Sequence, residues 1–483
     1  MPSVRPSDQS LTTPRRHRRR IGGWRSAGVT TACLLLGWNY NSAATVQPRR
    51  DEVAGPRAWA GSVRIASQTW SFDVRESTSG LEVSVPSLWV PATPVAVASD
   101  PVSRLRFSFP RGLGEVDVTL EGPPPFAGSI RGGQWGDGRV QLAAVPATSL
   151  VYEDVLIGGA GVTIGATVTR PSSWGRRPAV VVLHGGGDSS REDSPGYRFW
   201  GEHLARLGLV AVTYDKRGNG QSTGSWRTVG FTERAQDVER LVAWLRGRAD
   251  VDASQVGLLA VSQGTWVASL AAASDPQLTF LVQLAGPAVS PLEADTYASI
   301  QGWRRTGLQA AELRQAERLW RMEVAAIRSG PGSSAWRRYD RAVSAAGMAS
   351  WYVKARYSPA DPTSWFATWY RLVAAHEPAR AIADTQAPSL WVYGDRDTQS
   401  DMARNVRTLR QLRQSARTAI DTACFPNADH GLNTPAGRDA TGPVTVAPGF
   451  FDLVDGWIRR HVGMGPSPDG GAATPRASIA CAS

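Results

Sequence analysis

The chain has 483 residues and a formal net charge of +11, with 42% hydrophobic and 20% charged residues. That length holds two or three domains with a large core, and the composition excludes a wholly disordered chain. Three cysteines exclude a disulfide scaffold and a Cys-rich zinc module, whereas the basic balance raises nucleic acid or an anionic membrane as partners until the charge is located.

Residues 1–44 carry Arg5, Arg15, Arg16, Arg18, Arg19, Arg20 and Arg25 against Asp8 alone, so six of the eleven net charges lie there. An apolar run from Ala27 to Trp38 follows, then Ser42-Ala43-Ala44. A basic start, a short apolar stretch and a small-residue exit predict a secretory signal peptide, hence a mature protein exported to the periplasm or outside the cell. The run is shorter than the roughly 20 apolar residues of a membrane-spanning helix, so no stable membrane insertion is expected. With the leader set aside the charge is +5, and nucleic acid is not an expected partner. A second basic cluster, residues 300–360, reads as solvated helix faces.

Residues 57–150 alternate with period 2, as in Leu81/Val83/Val85 and Val116/Val118/Leu120, between turn residues. They predict a small antiparallel β module. After Val151 the pattern changes to continuous apolar runs, among them 180–183, 209–213, 256–261, 278–284 and 390–393. Helical stretches lie between these runs. Such runs predict a mostly parallel sheet covered by helices on both faces, made of residues 151–286 and 379–462. Residues 287–378 interrupt it as a helical insert. Helices are expected over 306–328 and 334–356, with a third started by Asp361-Pro362. Six of the 19 Trp fall in this insert, which suggests a cap over a cleft. The tail, 463–483, is Gly/Pro/Ala/Ser-rich and predicted disordered.

Ala260-Val261-Ser262-Gln263-Gly264 follows an apolar strand and opens a helix, the setting of a nucleophile elbow. A serine needs a base. Of the six histidines, His430 lies in a loop after the last strand candidate (417–424), where the chain order Ser–Asp–His requires it. Leu390-Trp391-Val392-Tyr393-Gly394-Asp395-Arg396-Asp397 supplies the acid. Both aspartates are within reach, and the spacing past the strand end favours Asp397, leaving Asp395 as a turn cap. His184-Gly185-Gly186-Gly187 follows another strand, and its amides, with that of Gln263, form a candidate oxyanion hole. Asp215 and Arg217, in the next strand-end turn, are expected to pair and brace the loops, with His184 in support. No metal or nucleotide motif is present, and no cofactor is expected.

These residues resemble the α/β-hydrolase superfamily over residues 151–461, nearest to bacterial serine carboxylesterases with an N-terminal β module that are similar to S33/S9-type peptidases. Val182-Leu183-His184-Gly185, Tyr214-Asp215-Lys216-Arg217-Gly218, Ser262-Gln263-Gly264 and Leu284-Ala285-Gly286-Pro287 carry the resemblance. It implies an α/β-hydrolase fold and cofactor-free cleavage of a small-molecule carboxylic ester. It also implies a Ser262, Asp397, His430 triad, oxyanion donors among Gly185, Gly186 and Gln263, and a site-facing Arg191. Ala260 stands where the elbow Gly is usual, Thr265-Trp266 where Gly-Gly is common, and His-Gly-Gly-Gly where near relatives have His-Gly-Ser-Gly-Pro. A peptidase or amidase, or an acyltransferase or thioesterase, would use the same machinery, and a non-catalytic binding protein is disfavoured by the intact triad. Neither a Cys424–Cys481 pairing nor an oligomeric state follows from the sequence.

Overall fold

The computed structural model describes residues 58–465 except 66–67, 78–79, 98–103, 109–114, 122–125, 133–136, 146–148, 174, 192–194 and 436–443. The expected signal peptide and most of the expected disordered tail lie outside the described residues. So do Cys33 and Cys481, while Cys424 is disulfide-bonded.

The alternating segment folds as eight strands: β1 (Ala58–Ile65), β2 (Gln68–Ser77), β3 (Gly80–Val85), β4 (Val90–Val97), β5 (Arg104–Ser108), β6 (Glu115–Glu121), β7 (Phe126–Gly132) and β8 (Gly138–Val145). Each pairs antiparallel with the next, and β1 also pairs with β8, Ala58 opposite Val145, so the sheet closes into a barrel. Period-2 alternation sends Trp59, Val63, Trp70, Phe72, Val74, Val83, Val118, Ile130 and Val140 inward. Gly61 sits where strands press close, since a Cβ there would stand 1.9 Å from the Gln141 carbonyl oxygen.

The second sheet starts with a hairpin, β9 (Leu150–Gly159) and β10 (Val162–Pro171). It continues through β11 (Arg177–Leu183), α1 (Pro195–Leu207), β12 (Val210–Tyr214), α2 (Phe231–Arg246), β13 (Val251–Val261), α3 (Gly264–Ser274) and β14 (Leu281–Leu284). After the insert come α9 (Pro378–Asp384), β15 (Ser389–Gly394), α10 (Met402–Leu412), β16 (Ile420–Phe425), a small ribbon of β17 (Asn433–Pro435) and β18 (Val444–Val446), and α11 (Phe450–His461). The strand order is β16-β15-β14-β13-β11-β12-β10-β9, parallel from β16 through β12. Along β11, Val180 and Val182 pack against Trp200, Leu204 and Val454 of α1 and α11. Val181 and Leu183 belong to the opposite core with Val238 and Ala268 of α2 and α3. Burial on both faces explains the unbroken apolar run.

The insert is helical, but its divisions differ from those expected. A helix not anticipated, α4 (Pro291–Arg305), comes first, capped by Ser290 and Glu293. Then α5 (Ala310–Ser329) follows, and the expected 334–356 helix breaks at Gly347 into α6 (Ser334–Ala346) and α7 (Ser350–Ala355). Asp361 does not cap a helix. Its Oδ1 accepts the Thr363 N–H at 2.8 Å in a local turn, and Ser364 caps α8 (Trp365–Val373) by accepting the Ala367 N–H at 3.1 Å. Asp and Pro serve a turn as readily as a helix start, so the local signal was ambiguous. Trp320, Tyr339, Trp369 and Tyr370 fill the interior of the insert.

Candidate active site

The site gathers over the carboxyl ends of β11, β13 and β15, where the strands hand over to loops. Ser262 follows the last residue of β13 with φ +52°, a left-handed conformation that a serine adopts only when its surroundings impose it. Gly264 is required two residues on, because a Cβ there would lie 2.6 Å from the His184 carbonyl oxygen. The departures from the usual elbow are accommodated. Ala260 is fully buried in the sheet. Thr265 donates its hydroxyl to the Ser262 carbonyl at 2.9 Å and occupies the space left by Gly286, where a Cβ would stand 2.0 Å from its methyl. Trp266 donates Nε1–H to the Val289 carbonyl at 3.0 Å.

His430 Nδ1 lies 2.8 Å from Asp397 Oδ2, and its Nε2 lies 2.9 Å from Ser262 Oγ. With the Nδ1 proton held by the carboxylate, Nε2 is left to accept the serine hydroxyl. Asp397 is buried, and its second oxygen accepts the Gln399 and Ser400 N–H groups at 2.7 and 2.8 Å, which fixes the carboxylate plane. Burial disfavours the imidazolium, but the Asp397 charge and hydrogen bond outweigh it, so the His430 pKa is raised. Asp395 instead accepts the Asn427 N–H at 2.6 Å, so it holds the turn after β16 rather than its own.

The glycine turn is held from below. Lys216, buried, donates from Nζ to the carbonyls of Gly185 and Gly187 at 2.7 and 2.5 Å. Burial first, and then the nearby Arg234, push its pKa well down. The Gly185 N–H donates to Tyr197 Oη at 2.8 Å, so that amide is engaged by a phenol from α1. A Cβ added at Gly185 would stand 3.4 Å from Ser262 Cβ and 3.8 Å from Tyr197 Oη, so Gly185 borders both the nucleophile and the phenol. The Gln263 amide is at the N-terminus of α3, the positive end of that helix. Its side-chain oxygen accepts from Arg234 Nη1 at 2.7 Å. His184 packs edge-on between Tyr197 and Tyr214, and burial drives its pKa well down, so it is neutral.

Two sequence expectations change here. Asp215 and Arg217 do not pair with each other. Asp215 binds the Arg191 guanidinium and accepts the Arg191 N–H at 2.8 Å, whereas Arg217 grips Asp237 of α2 at 2.5 and 2.8 Å. Arg191 is therefore turned inward, tied also to Gln221 at 2.6 Å, rather than facing the site. The two side chains leave the turn in different directions, which spacing along the chain does not record. Tyr197 and Arg234 were not singled out from sequence, because no local motif marks a phenol or guanidinium that meets the site only through folding. Lys216 lies in the Tyr214–Gly218 turn, where the sequence alone assigns it no role. Among the described residues no cluster of three His, Cys, Asp or Glu side chains is arranged to hold a metal.

A family model described as the α/β hydrolase fold matches residues 178–429. No curated protein matches the sequence. Solved structures that are similar include the esterase PF2001 of Pyrococcus furiosus, at 15% identity over 65% of this chain and 92% of that one, with a TM-score of 0.41. Est1E of Butyrivibrio proteoclasticus, seen with ferulic acid bound, is 14% identical over 63% of this chain and 96% of its own, with a TM-score of 0.40. A 2,6-dihydroxy-pseudo-oxynicotine hydrolase is 15% identical over 66% of this chain and 70% of its own, also at 0.40.

Proposed function

The chain belongs to the α/β-hydrolase fold family and is a hydrolase, and from that premise we propose that it cleaves carboxylic esters through an acyl-enzyme on Ser262. The observation that carries the reading is the continuous relay of Ser262 Oγ, His430 and Asp397 at 2.9 and 2.8 Å, with the serine held in a left-handed elbow. In the forward step the Ser262 oxygen attacks the ester carbonyl while His430 Nε2 takes the hydroxyl proton. Asp397 keeps the imidazole in the tautomer that can do so and stabilises the imidazolium. The developing oxyanion is met by the Gln263 N–H at the start of α3 and by the Gly186 N–H, the Gly185 N–H being held by Tyr197. Tyr197 backs this set from α1: its oxygen takes the Gly185 N–H and is hydrogen-bonded to the Ser189 side chain. His430 then protonates the leaving alcohol, and water repeats the sequence on the acyl-serine.

The test is Ser262→Ala assayed on a p-nitrophenyl ester, with circular dichroism to check the fold. A loss of about 10⁴-fold or more is expected. Turnover near that of the unaltered protein by a folded variant would remove the assignment. Running aminoacyl-anilides beside the esters separates an esterase from an amidase, and esters are expected to be the faster class.

A further inference from the structure

One short segment of the barrel, residues 86–92, packs closely on the hydrolase domain. A single 3₁₀ turn, Pro86–Leu88, ends at Trp89, which adopts φ +58°, ψ +30° and projects its indole out of the barrel. A non-glycine residue in that conformation is held there by its contacts. The ring stands among Phe199, Trp200, Phe450 and Phe451, with centroids 5.4 to 5.8 Å away, so it packs on both α1 and α11. Its Nε1–H donates to Asn433 Oδ1 at 2.8 Å.

Asn433 belongs to the loop that carries His430. Its N–H donates to Asp429 Oδ1 at 2.9 Å, and its carbonyl accepts the Asp429 N–H at 2.8 Å. The Gly431 N–H donates to the same Asp429 oxygen at 2.9 Å. His430 is therefore borne on a closed loop whose one cross-domain hydrogen bond among the described residues comes from the barrel. Three residues beyond Trp89, the backbone of Ala92 is held at both ends. Its N–H donates to Glu202 Oε2 at 3.0 Å, and its carbonyl accepts from Arg198 Nη2 at 3.2 Å. Glu202 and Arg198 lie on α1, the helix that presents Tyr197 to the glycine turn. One barrel segment thus braces the two elements that flank Ser262 and do not belong to its own strand.

We propose that the barrel is a positioning module of the hydrolase, and that Trp89 is the positioning residue that holds the His430 loop in register through Asn433. This rests on the reading of His430 as the base. A base displaced by a fraction of an ångström from the nucleophile loses rate without losing substrate affinity, so the role acts on kcat and not on KM.

Trp89→Phe keeps an aromatic ring among the four partners and removes the N–H. The expected result is a fall in kcat of about tenfold with KM within about twofold of the unaltered protein. The acid limb of the kcat/KM profile should also move to lower pH, because a loosened loop weakens the hold of Asp397 on the imidazolium. Asn433→Ala should give the same change, and the double variant should be no slower than either single one. A purely structural role would lower the melting temperature and leave kcat of the folded protein and its pH profile alone, and that outcome overturns the proposal. So does a multiplicative loss in the double variant, which would mean two unrelated effects. If Trp89→Phe fails to fold, Asn433→Ala, which leaves the aromatic cluster intact, carries the test by itself. Ser262→Ala in the unaltered background keeps the two ideas apart. Retained turnover there removes the catalytic reading, whereas lost turnover there with an inert Trp89→Phe removes only the positioning role.

Discussion

The barrel and the open sheet bury apolar strands in opposite ways. The barrel turns one face inward and closes β1 on β8, so its sheet has no free edge, although the Ala92 backbone on β4 bonds to α1. The open sheet buries both faces under helices and leaves the carboxyl ends of its strands free for loops. Chemistry assembles at those ends because side chains from β13, from the loop after β15 and from the loop after β16 can converge there. The barrel reaches the elements around the site through the segment from Trp89 to Ala92. A closed sheet provides a rigid support, and an open one provides a place to work.

The sharpest way to break that contrast is to disable the strand ends without touching either core. Asp397→Asn keeps the size of the side chain but removes the charge that orients His430, and it should lower kcat by about 10⁴-fold in a folded protein. In the unaltered protein kcat/KM should rise with pH through a value above the ordinary 6.5 of histidine, because the raised pKa keeps the base protonated, and so inactive, to higher pH. An acid limb at or below that value would contradict the role of Asp397.

The barrel core offers the opposite manipulation. Ile130, 1% exposed on β7, packs inside the barrel away from Trp89. Ile130→Ala should cost roughly 2–5 kcal/mol of stability and lower the melting temperature, with kcat unchanged below the transition. A loss of kcat before unfolding would mean that the barrel interior, and not only its protruding turn, is coupled to the site.

The cap permits a third comparison. Glu323 is buried and accepts hydrogen bonds from Tyr339 and from Tyr357, the latter at 2.7 Å. Burial raises its pKa to about 7 against an ordinary 4.5, even though both phenols pull the other way. The folded protein then keeps a proton that the unfolded chain releases, so stability should fall as pH rises from about 4.5 to about 7 and level off above. The total is at most about 3 kcal/mol at 1.36 kcal/mol per pKa unit. Glu323→Gln should flatten the melting temperature across that window, and an undiminished slope would place the titrating group elsewhere.

The smallest effect concerns the strand-end turn itself. Lys216→Met preserves length and removes the two hydrogen bonds to the Gly185 and Gly187 carbonyls. A fall in kcat of about tenfold with little change in KM is expected if the turn lines the oxyanion. An equal rise in KM would point to substrate binding instead.

Much of the site was legible in the sequence because a nucleophile elbow needs small residues next to the serine, and because the chain order of acid and base follows from the sheet. Asp397 rather than Asp395 followed from spacing past the strand end. What spacing did not carry was the partner of each charged side chain. Asp215 turned to Arg191 and Arg217 to Asp237, since each leaves the backbone on its own side of the turn. Helix boundaries in the insert were equally hidden: Asp361-Pro362 suits a turn and a helix start alike, and Gly347 breaks a pattern whose periodicity runs on through it.

By itself, then, the sequence determined the alternation that separates the β module from the α/β domain, the strand runs buried on both faces, and the order of Ser262, Asp397 and His430. These are local properties, set by side-chain period and by turns a few residues long. Only the tertiary structure decided that eight alternating strands close on one another, that Tyr197 reaches the Gly185 amide from α1, and that Trp89 meets Asn433 across 344 positions of chain. Those contacts depend on how whole elements pack, and no short stretch of sequence records the orientation of a partner it has not yet met.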